Sequence, residues 1–267
     1  MNSTSIKRKL AVAFDTLGIN AAGFALQKLL FSPFIRVVNY HDIPSENKAN
    51  FESHLKYYSD KYINVDEKTL RSFLNDETWP HPKPGLIISF DDGLTSHIEA
   101  AKPLLEKYGF TGWFFVPAER FNTKIPIAEN ALTAEQVKEI GKLHIVGSHT
   151  MTHLRLGADV KDDVMNFETL DAKRLMEKAL GHEVKIFCWV GGEEFAYSKK
   201  AAEKIKQGYD LSFMTNAAIV RPGTNPLQLQ RTNIESDNPL PLVKFQLAGF
   251  LDLLYFPKRR RVNRLTQ

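Results

Sequence analysis

Short apolar runs alternate with helical segments along most of this chain, and that alternation restricts the fold more than any other feature. Strand candidates lie at 35–41, 85–90, 111–116, 144–148, 184–190 and 209–214, with helical patterns at 97–108, 133–142, 165–180 and 198–207 between the later ones. Two more helical segments, 51–61 and 67–75, fall between the first two strands. Ile35-Arg36-Val37-Val38 has the β-branched content of a strand, and Gly85-Leu86-Ile87-Ile88-Ser89-Phe90 reads as a strand buried on both faces. Strands that alternate with helices of about ten residues imply βαβ units and a largely parallel sheet. There are enough units to close a barrel, whose loops at the carboxyl ends of the strands would hold a site. A segment near 228–234 reads as an edge strand.

The chain has 267 residues, 43% of them hydrophobic and 25% charged, which suits one large globular domain. A lone cysteine, Cys188, rules out an internal disulfide framework and a thiolate zinc site, so a bound metal would need His and carboxylate. The net charge of +4 is unevenly placed. Lys7, Arg8 and Lys9 near the start, and Lys258, Arg259, Arg260, Arg261 and Arg264 near the end, more than account for it, so the body between is acidic. That distribution argues against a nucleic-acid-binding body.

Residues 10–31 read as one amphipathic helix, with Leu10, Phe14, Leu17, Ala21 and Phe24 on one face and Thr16, Asn20 and Gln27 on another. Asp15, Asn20 and Lys28 interrupt it too often for a signal peptide. A second apolar helix is expected from about Leu242 to Phe256, ended by Pro257 and followed by a basic tail. Too short to span a bilayer, it suits an anionic membrane surface or a place against the domain. For the two termini together the membrane contact is favoured, because their charge opposes that of the body.

Two motifs carry the chemistry. Asp91 and Asp92 end the 85–90 strand, where like charges facing one cavity would need a cation between them; read alone, Asp-Asp-Gly is also an ordinary turn. His149 and His153 follow the 144–148 strand four residues apart, so on a helix-like turn both imidazoles can reach one point. Ser89-Phe90-Asp91-Asp92-Gly93 and His149-Thr150-Met151-Thr152-His153 together resemble the T/S-F-D-D-G and H-S/T-x-x-H motifs of the polysaccharide deacetylase family of carbohydrate esterases, whose core is the NodB homology domain. The resemblance covers about 35–236. Tyr40-His41 is similar to the N-terminal Y/F-H pair of the branch with permuted motif order, whose members deacetylate biofilm polysaccharides.

The resemblance implies an α/β fold, a distorted (β/α)7-type barrel, to which the residue pattern adds amphipathic terminal helices. Residues 1–34 would form an N-terminal helix, 35–236 the deacetylase domain, and 237–267 the C-terminal helix and basic tail. It further implies a divalent metal, usually zinc, with cobalt, nickel or manganese as substitutes. The ligands would be Asp92, His149 and His153. Asp91 would be the general base and His41, in the absence of any histidine after His182, the general acid. Thr150 would hold the loop through its hydroxyl. Phe187-Cys188-Trp189-Val190-Gly191-Gly192 departs from the branch's F-A-Y-P-Y-G, and Cys188 stands where many relatives have an arginine. Gly191 is expected to offer its N–H to an oxyanion and Trp189 to stack on a sugar, whereas Trp113 belongs in the core. Leu229-Gln230-Arg231 is similar to the family's late L-x-R segment, so Arg231 either orients Asp91 or pairs with a surface acid.

The expected activity is hydrolysis of the acetamide of an N-acetylated amino sugar, in a surface glycan or its lipid-linked precursor. The rivals are a deformylase or deacylase of a lipid-linked amino sugar and an inactive glycan-binding relative. A protein peripheral to the membrane is expected, on the cytoplasmic side or beyond it, with no nucleic-acid partner.

Overall fold

In the computed structural model, which describes residues 3–76, 79–122 and 128–267, the alternation is realised as a ring of strands. The strands are β1 (Ile35–Tyr40), β2 (Ile63–Asn64), β3 (Gly85–Phe90), β4 (Gly112–Val116), β5 (Ile145–Ser148), β6 (Ile186–Cys188), β7 (Leu211–Met214), β8 (Ile219–Val220), β9 (Leu229–Gln230) and β10 (Thr232–Asn233). Parallel pairing runs from β1 through β3, β4, β5, β6 and β7 to β9, while β10 pairs with β1. Only Arg231 separates β9 from β10, so one extended run serves both neighbours: its N–H donates to Met214 (2.8 Å), and that of Ile234 to Asn39 (2.8 Å). The expected edge strand is therefore the stave that closes a barrel. The short strands β2 and β8 extend the sheet beside the starts of β3 and β1.

The two-residue period of each strand sorts side chains between two cores. Val37, Ile87, Phe115, Phe213 and Leu229 fill the barrel, with Ile35, Trp113, Ile186 and Leu211 in the same cluster. Trp113 is buried as expected, and its indole donates to Val65 O (3.1 Å). Val38, Tyr40, Ile88, Phe90, Phe114 and Phe187 point outward beneath the helices. Each such side chain contributes about 1.5–3 kcal/mol through burial. The expected βα helices form at Lys102–Tyr108, preceded by a wide π turn at His97–Ala101, and at Ala134–Ile140, Ala172–Leu180 and Lys199–Gly208.

The ends differ from expectation. Residues 10–31 are not one helix: Ser3–Thr16 and Ile19–Phe31 meet at Gly18 (φ 73°), bent by 79°. The C-terminal apolar segment is likewise broken, into Leu240–Leu247 and Phe250–Leu254, by Gly249 in the left-handed region (φ 92°). Pro257 does not stop a helix but sits in the first turn of the next, Phe256–Leu265, where its missing N–H costs nothing, so the basic tail is helical. Buried Arg36 ties these helices to β1 through a two-pronged pair with Asp252 (2.7 and 2.9 Å). Among the described residues no single helix is long and apolar enough to cross a membrane, although the bent N-terminal pair has that composition when taken together.

Candidate metal centre and catalytic site

At the carboxyl ends of the strands the inward positions turn polar: Asn39 after Val37, Ser89 and Asp91 after Ile87, Cys188 after Ile186, Arg231 after Leu229. Asp91 continues the ladder, its N–H donating to Tyr40 O (3.0 Å). Asp92 then takes a left-handed conformation (φ 74°), which turns the second carboxylate back over the same cavity as the first. Gly93 follows with φ 62°, and a Cβ there would lie 2.9 Å from Val116 Cγ1, so only glycine lets the chain leave this way.

The histidine loop is strained in the same manner, with Thr150 (φ 65°) and His153 (φ 63°) both left-handed. Such residues cost about 1–3 kcal/mol each unless their surroundings hold them. Here a buried carboxylate does: Glu168 accepts the N–H groups of Met151 (2.9 Å) and Thr152 (2.9 Å) and the Thr152 hydroxyl (2.6 Å). The Thr150 carbonyl accepts Ala118 N–H (2.9 Å), but its buried hydroxyl has no hydrogen-bond partner among the described residues. Thr150 thus holds the loop through its backbone, and the expected hydroxyl role passes to Glu168.

His149 Nδ1 lies 3.0 Å from Cys188 O, and a carbonyl can only accept, so Nδ1 donates and Nε2 is the atom turned to the carboxylates. That Nε2 is 3.5 Å from Asp92 Oδ1, and His153 Nε2 is 3.0 Å from the same oxygen. Asp92 Oδ1 is buried, and these two imidazoles are the groups that face it. The three donor atoms lie within 4.8 Å of one another, a carboxylate and two imidazoles converging on one point. This donor set fits a divalent cation. Burial pushes the Asp92 carboxyl up, but the two facing imidazoles hold it far below the usual range; Asp92 in turn raises His153. Asp91, His149 and Cys188 also approach within 4.8 Å. That set is a poor cation site, because burial keeps the thiol protonated and a guanidinium already occupies Asp91.

The guanidinium is that of Arg231, which resolves its two readings: it binds Asp91 fork to fork, with both bonds 2.7 Å. The same group donates to Asn39 Oδ1 (2.9 Å), and Asn39 Nδ2 donates to Asp91 Oδ2 (3.0 Å). All three side chains are buried. Burial raises the Asp91 carboxyl, yet Arg231, and less strongly His149, bring it below its ordinary value. The charge absent at position 188 is thus supplied from the closing stave, and the Cys188 thiol faces Asp91 instead, with Sγ 3.8 Å from Oδ1.

His41 stands at the rim, its Nδ1 3.6 Å from Glu235 Oε1, an ion-pair distance. Glu235, against burial, raises its pKa above the ordinary value. Its backbone carbonyl accepts from His97 Nε2 (2.7 Å), a ring that burial keeps neutral. Beside Arg231 and Glu235 lies a cavity of about 470 Å³, walled by Glu193, Thr215, Tyr255 and Lys258 among others.

Trp189 corrects another expectation. Strand alternation that points Cys188 into the barrel points Trp189 out, where it packs against Phe187 and Tyr197 with 1% exposure, leaving no face for a sugar. Gly191 turns the chain after β6 with φ 83°, and the next two residues, Gly192 and Glu193, line the cavity.

Asn39, His97, Glu168 and Glu235 are site residues that the sequence did not single out. Glu168 left one trace: a carboxylate on the buried face of its helix, between Met165 and Ala172.

Comparison with known proteins agrees with this geometry. The family described as Polysaccharide deacetylase matches residues 79–210, which include Asp91, Asp92, His149 and His153. YxkH of Bacillus subtilis (strain 168), provisionally named a polysaccharide deacetylase, is 29% identical over 205 residues, 74% of this chain and 70% of its own. Two solved structures share the fold: IcaB from Ammonifex degensii (TM-score 0.70, 22% identity, 82% of this chain and 98% of that one) and the Streptococcus pyogenes deacetylase PplD in complex with acetate (0.68, 21%, 80% and 98%). With the fold shared and both motifs inside the matched segment, residues 79–210 form the core of a polysaccharide deacetylase domain, a hydrolase.

Proposed function

We propose that this chain is a metal-dependent N-deacetylase of an N-acetylated amino sugar, in a surface glycan or its lipid-linked precursor, and that it works peripherally at a membrane. The observation that supports this best is the separation of the two adjacent carboxylates. Asp91 is fixed by Arg231 and Asn39, while Asp92 Oδ1 is left to face His149 and His153.

Asp92, His149 and His153 would hold the ion, with zinc the expected one. When bound, such an ion polarises the acetyl carbonyl and acidifies a water. Asp91, whose Oδ2 is 4.0 Å from His149 Nε2, takes the proton as water adds to the carbonyl carbon. Arg231 keeps it ionised and correctly turned for that step. The Gly191 N–H is offered to the carbonyl oxygen as it gains charge. His41, kept protonated by Glu235, gives its proton to the amine nitrogen as the C–N bond breaks. Acetate and the free amino sugar leave.

The test is acetate release from N-acetylhexosamine oligomers, free and lipid-linked. Chelation or Asp92→Ala should abolish turnover, and Asp91→Asn should lower the rate about 100-fold or more while metal content stays unchanged. Equal turnover by metal-free protein would overturn the mechanism.

A further inference from the structure

Helix Ile19–Phe31 is built inside out. Its polar residues Asn20 and Gln27 are 2% and 5% exposed, while Leu26, Leu29 and Leu30 are 54%, 81% and 59% exposed. The inward placement has a clear cause. Asn20 Nδ2 donates to the carbonyls of Ala11 and Pro241, and Gly23 gives the room in which Phe250 and Ala248 pack. The helix therefore docks through hydrogen bonds and small residues, and its leucines, at the spacing of one face, are left outward with Ala21, Ala22 and Ala25. In water this arrangement is unfavourable, since burying Leu29 and Leu30 and exposing Gln27 would stabilise the helix more.

The neighbouring helix continues the pattern. Phe250–Leu254, which starts against Gly23 and Gln27, exposes Leu253 and Leu254 (78% and 69%), and Phe256 follows at 48%. Charge within these segments is mostly of one sign, although Arg261 is paired with Glu194 from outside them. Residues 10–31 and 249–267 hold just two acids, Asp15 and Asp252, and both are spent in ion pairs with Lys244 (2.9 Å) and Arg36 (2.7 Å). Lys28, Lys258, Arg260 and Arg264 are cations of the same segments, and Arg221 lies over the Phe31 ring. Lys258 and Arg260 likewise lie over Tyr255 and Phe256, so cation and aromatic ring are presented together. A face of outward leucines flanked by aromatic rings and an excess of cations matches the boundary of an anionic bilayer, with leucines among acyl chains and cations at phosphates.

We propose that the outward face of Ile19–Phe31, with Leu253, Leu254 and Phe256, seats the enzyme on an anionic lipid bilayer. Leu254 and Tyr255 also line the 470 Å³ cavity that adjoins Arg231 and Glu235, so the seated face and the site share a wall. Resting on the deacetylase reading, this deepens it to an amino sugar presented at the membrane on a lipid carrier.

The test uses the full chain and vesicles of phosphatidylcholine with or without phosphatidylglycerol. The protein should sediment with anionic vesicles, at least tenfold less with neutral ones, and be released by high salt. Leu29→Glu, at a position already exposed, should fold normally and lose about tenfold or more of the anionic-vesicle binding, whereas Leu143→Glu, 66% exposed outside these helices, should change nothing. Acetate release from a soluble N-acetylhexosamine oligomer should be equal in wild type and Leu29→Glu. If neither releases acetate, the deacetylase reading fails while the vesicle result stands on its own. Unchanged vesicle binding by Leu29→Glu would overturn the proposal, as would a lipid-independent dimer that this substitution makes monomeric.

Discussion

Replacing Arg231 by methionine tests how the site is charged. The guanidinium and the Asp91 carboxylate are 1% and 4% exposed, so the substitution strands a buried anion. Removing one partner of such a pair costs about 3–5 kcal/mol. Protonation sets an independent limit. At pH 7, Asp91 can escape by taking a proton, at a cost of about 1.36 kcal/mol per pH unit above its unfolded pKa of about 3.9, or ~4 kcal/mol. The two figures agree, and the second predicts a pH dependence. In the wild type the Asp91 pKa is depressed, so its contribution is present above the unfolded pKa and is lost as pH falls through the folded one. In Arg231→Met the strongest charge opposing burial is gone, so burial raises that pKa and the variant loses stability as pH rises. The difference between the proteins should thus shrink from ~4 kcal/mol at pH 7 to ~1.5 kcal/mol at pH 5. Urea unfolding at both pH values reads it directly, and Asp91→Asn in the Arg231→Met background should remove most of the pH dependence. A cost below ~1 kcal/mol, or one that is equal at pH 5 and pH 7, would refute the reasoning.

Two further substitutions probe the neighbours of the reacting groups. Glu235→Gln removes the carboxylate chiefly responsible for raising His41, so the alkaline limb of the pH profile of kcat/KM should move to lower pH with the acid limb in place; a limb that stays put would show that His41 is not the acid. Glu168→Ala strands the buried N–H of Met151 and the N–H of Thr152, at about 2–4 kcal/mol by denaturant unfolding. Because that loop carries His149 and His153, titration calorimetry should also show metal affinity weakened about 10- to 100-fold, and unchanged affinity would mean that Glu168 does not position them.

Much of the barrel was legible because its staves advertise themselves: Ile35–Tyr40, Gly85–Phe90 and Gly112–Val116 are β-branched or aromatic runs between helical patterns. The closing stave was legible as a strand near 228–234 but not as a closure, since β9 and β10 have two residues each and nothing in Leu229–Asn233 shows that the run pairs on both sides. Asp91, Asp92, His149 and His153 were legible from their placement at strand ends. His97 and Glu168 were not, because a polar residue on a buried helix face does not disclose its partner, and the partners of these two, His41 O and the loop at 151–152, are distant in sequence. The terminal helices misled for another reason. Apolar periodicity shows that one face differs from the other, but Asn20 and Gln27 show that the buried face is chosen by tertiary partners.

The paired carboxylates pose an electrostatic problem that Arg231 solves in a particular way. A cation held by Asp92, His149 and His153 offsets negative charge only when it is present, so without another partner Asp91 would be driven to protonate by its own burial each time the site stood empty. A guanidinium cannot be deprotonated at any physiological pH, and its fork also fixes the plane of the carboxylate. Asp91 is therefore ionised and oriented whether or not the neighbouring site is filled. As the proposed base Asp91 would be weakened, since the same charge that keeps it ionised lowers its affinity for a proton. Such a base suffices only for a water that is already acidified, which is the chemistry a bound divalent ion supplies. In the proposed mechanism the Arg231–Asp91 pair would make the reaction conditional on the neighbouring donor set. On this argument Asp92→Ala should leave no metal-independent residual activity above background, even though Asp91, Arg231 and His41 all remain in place.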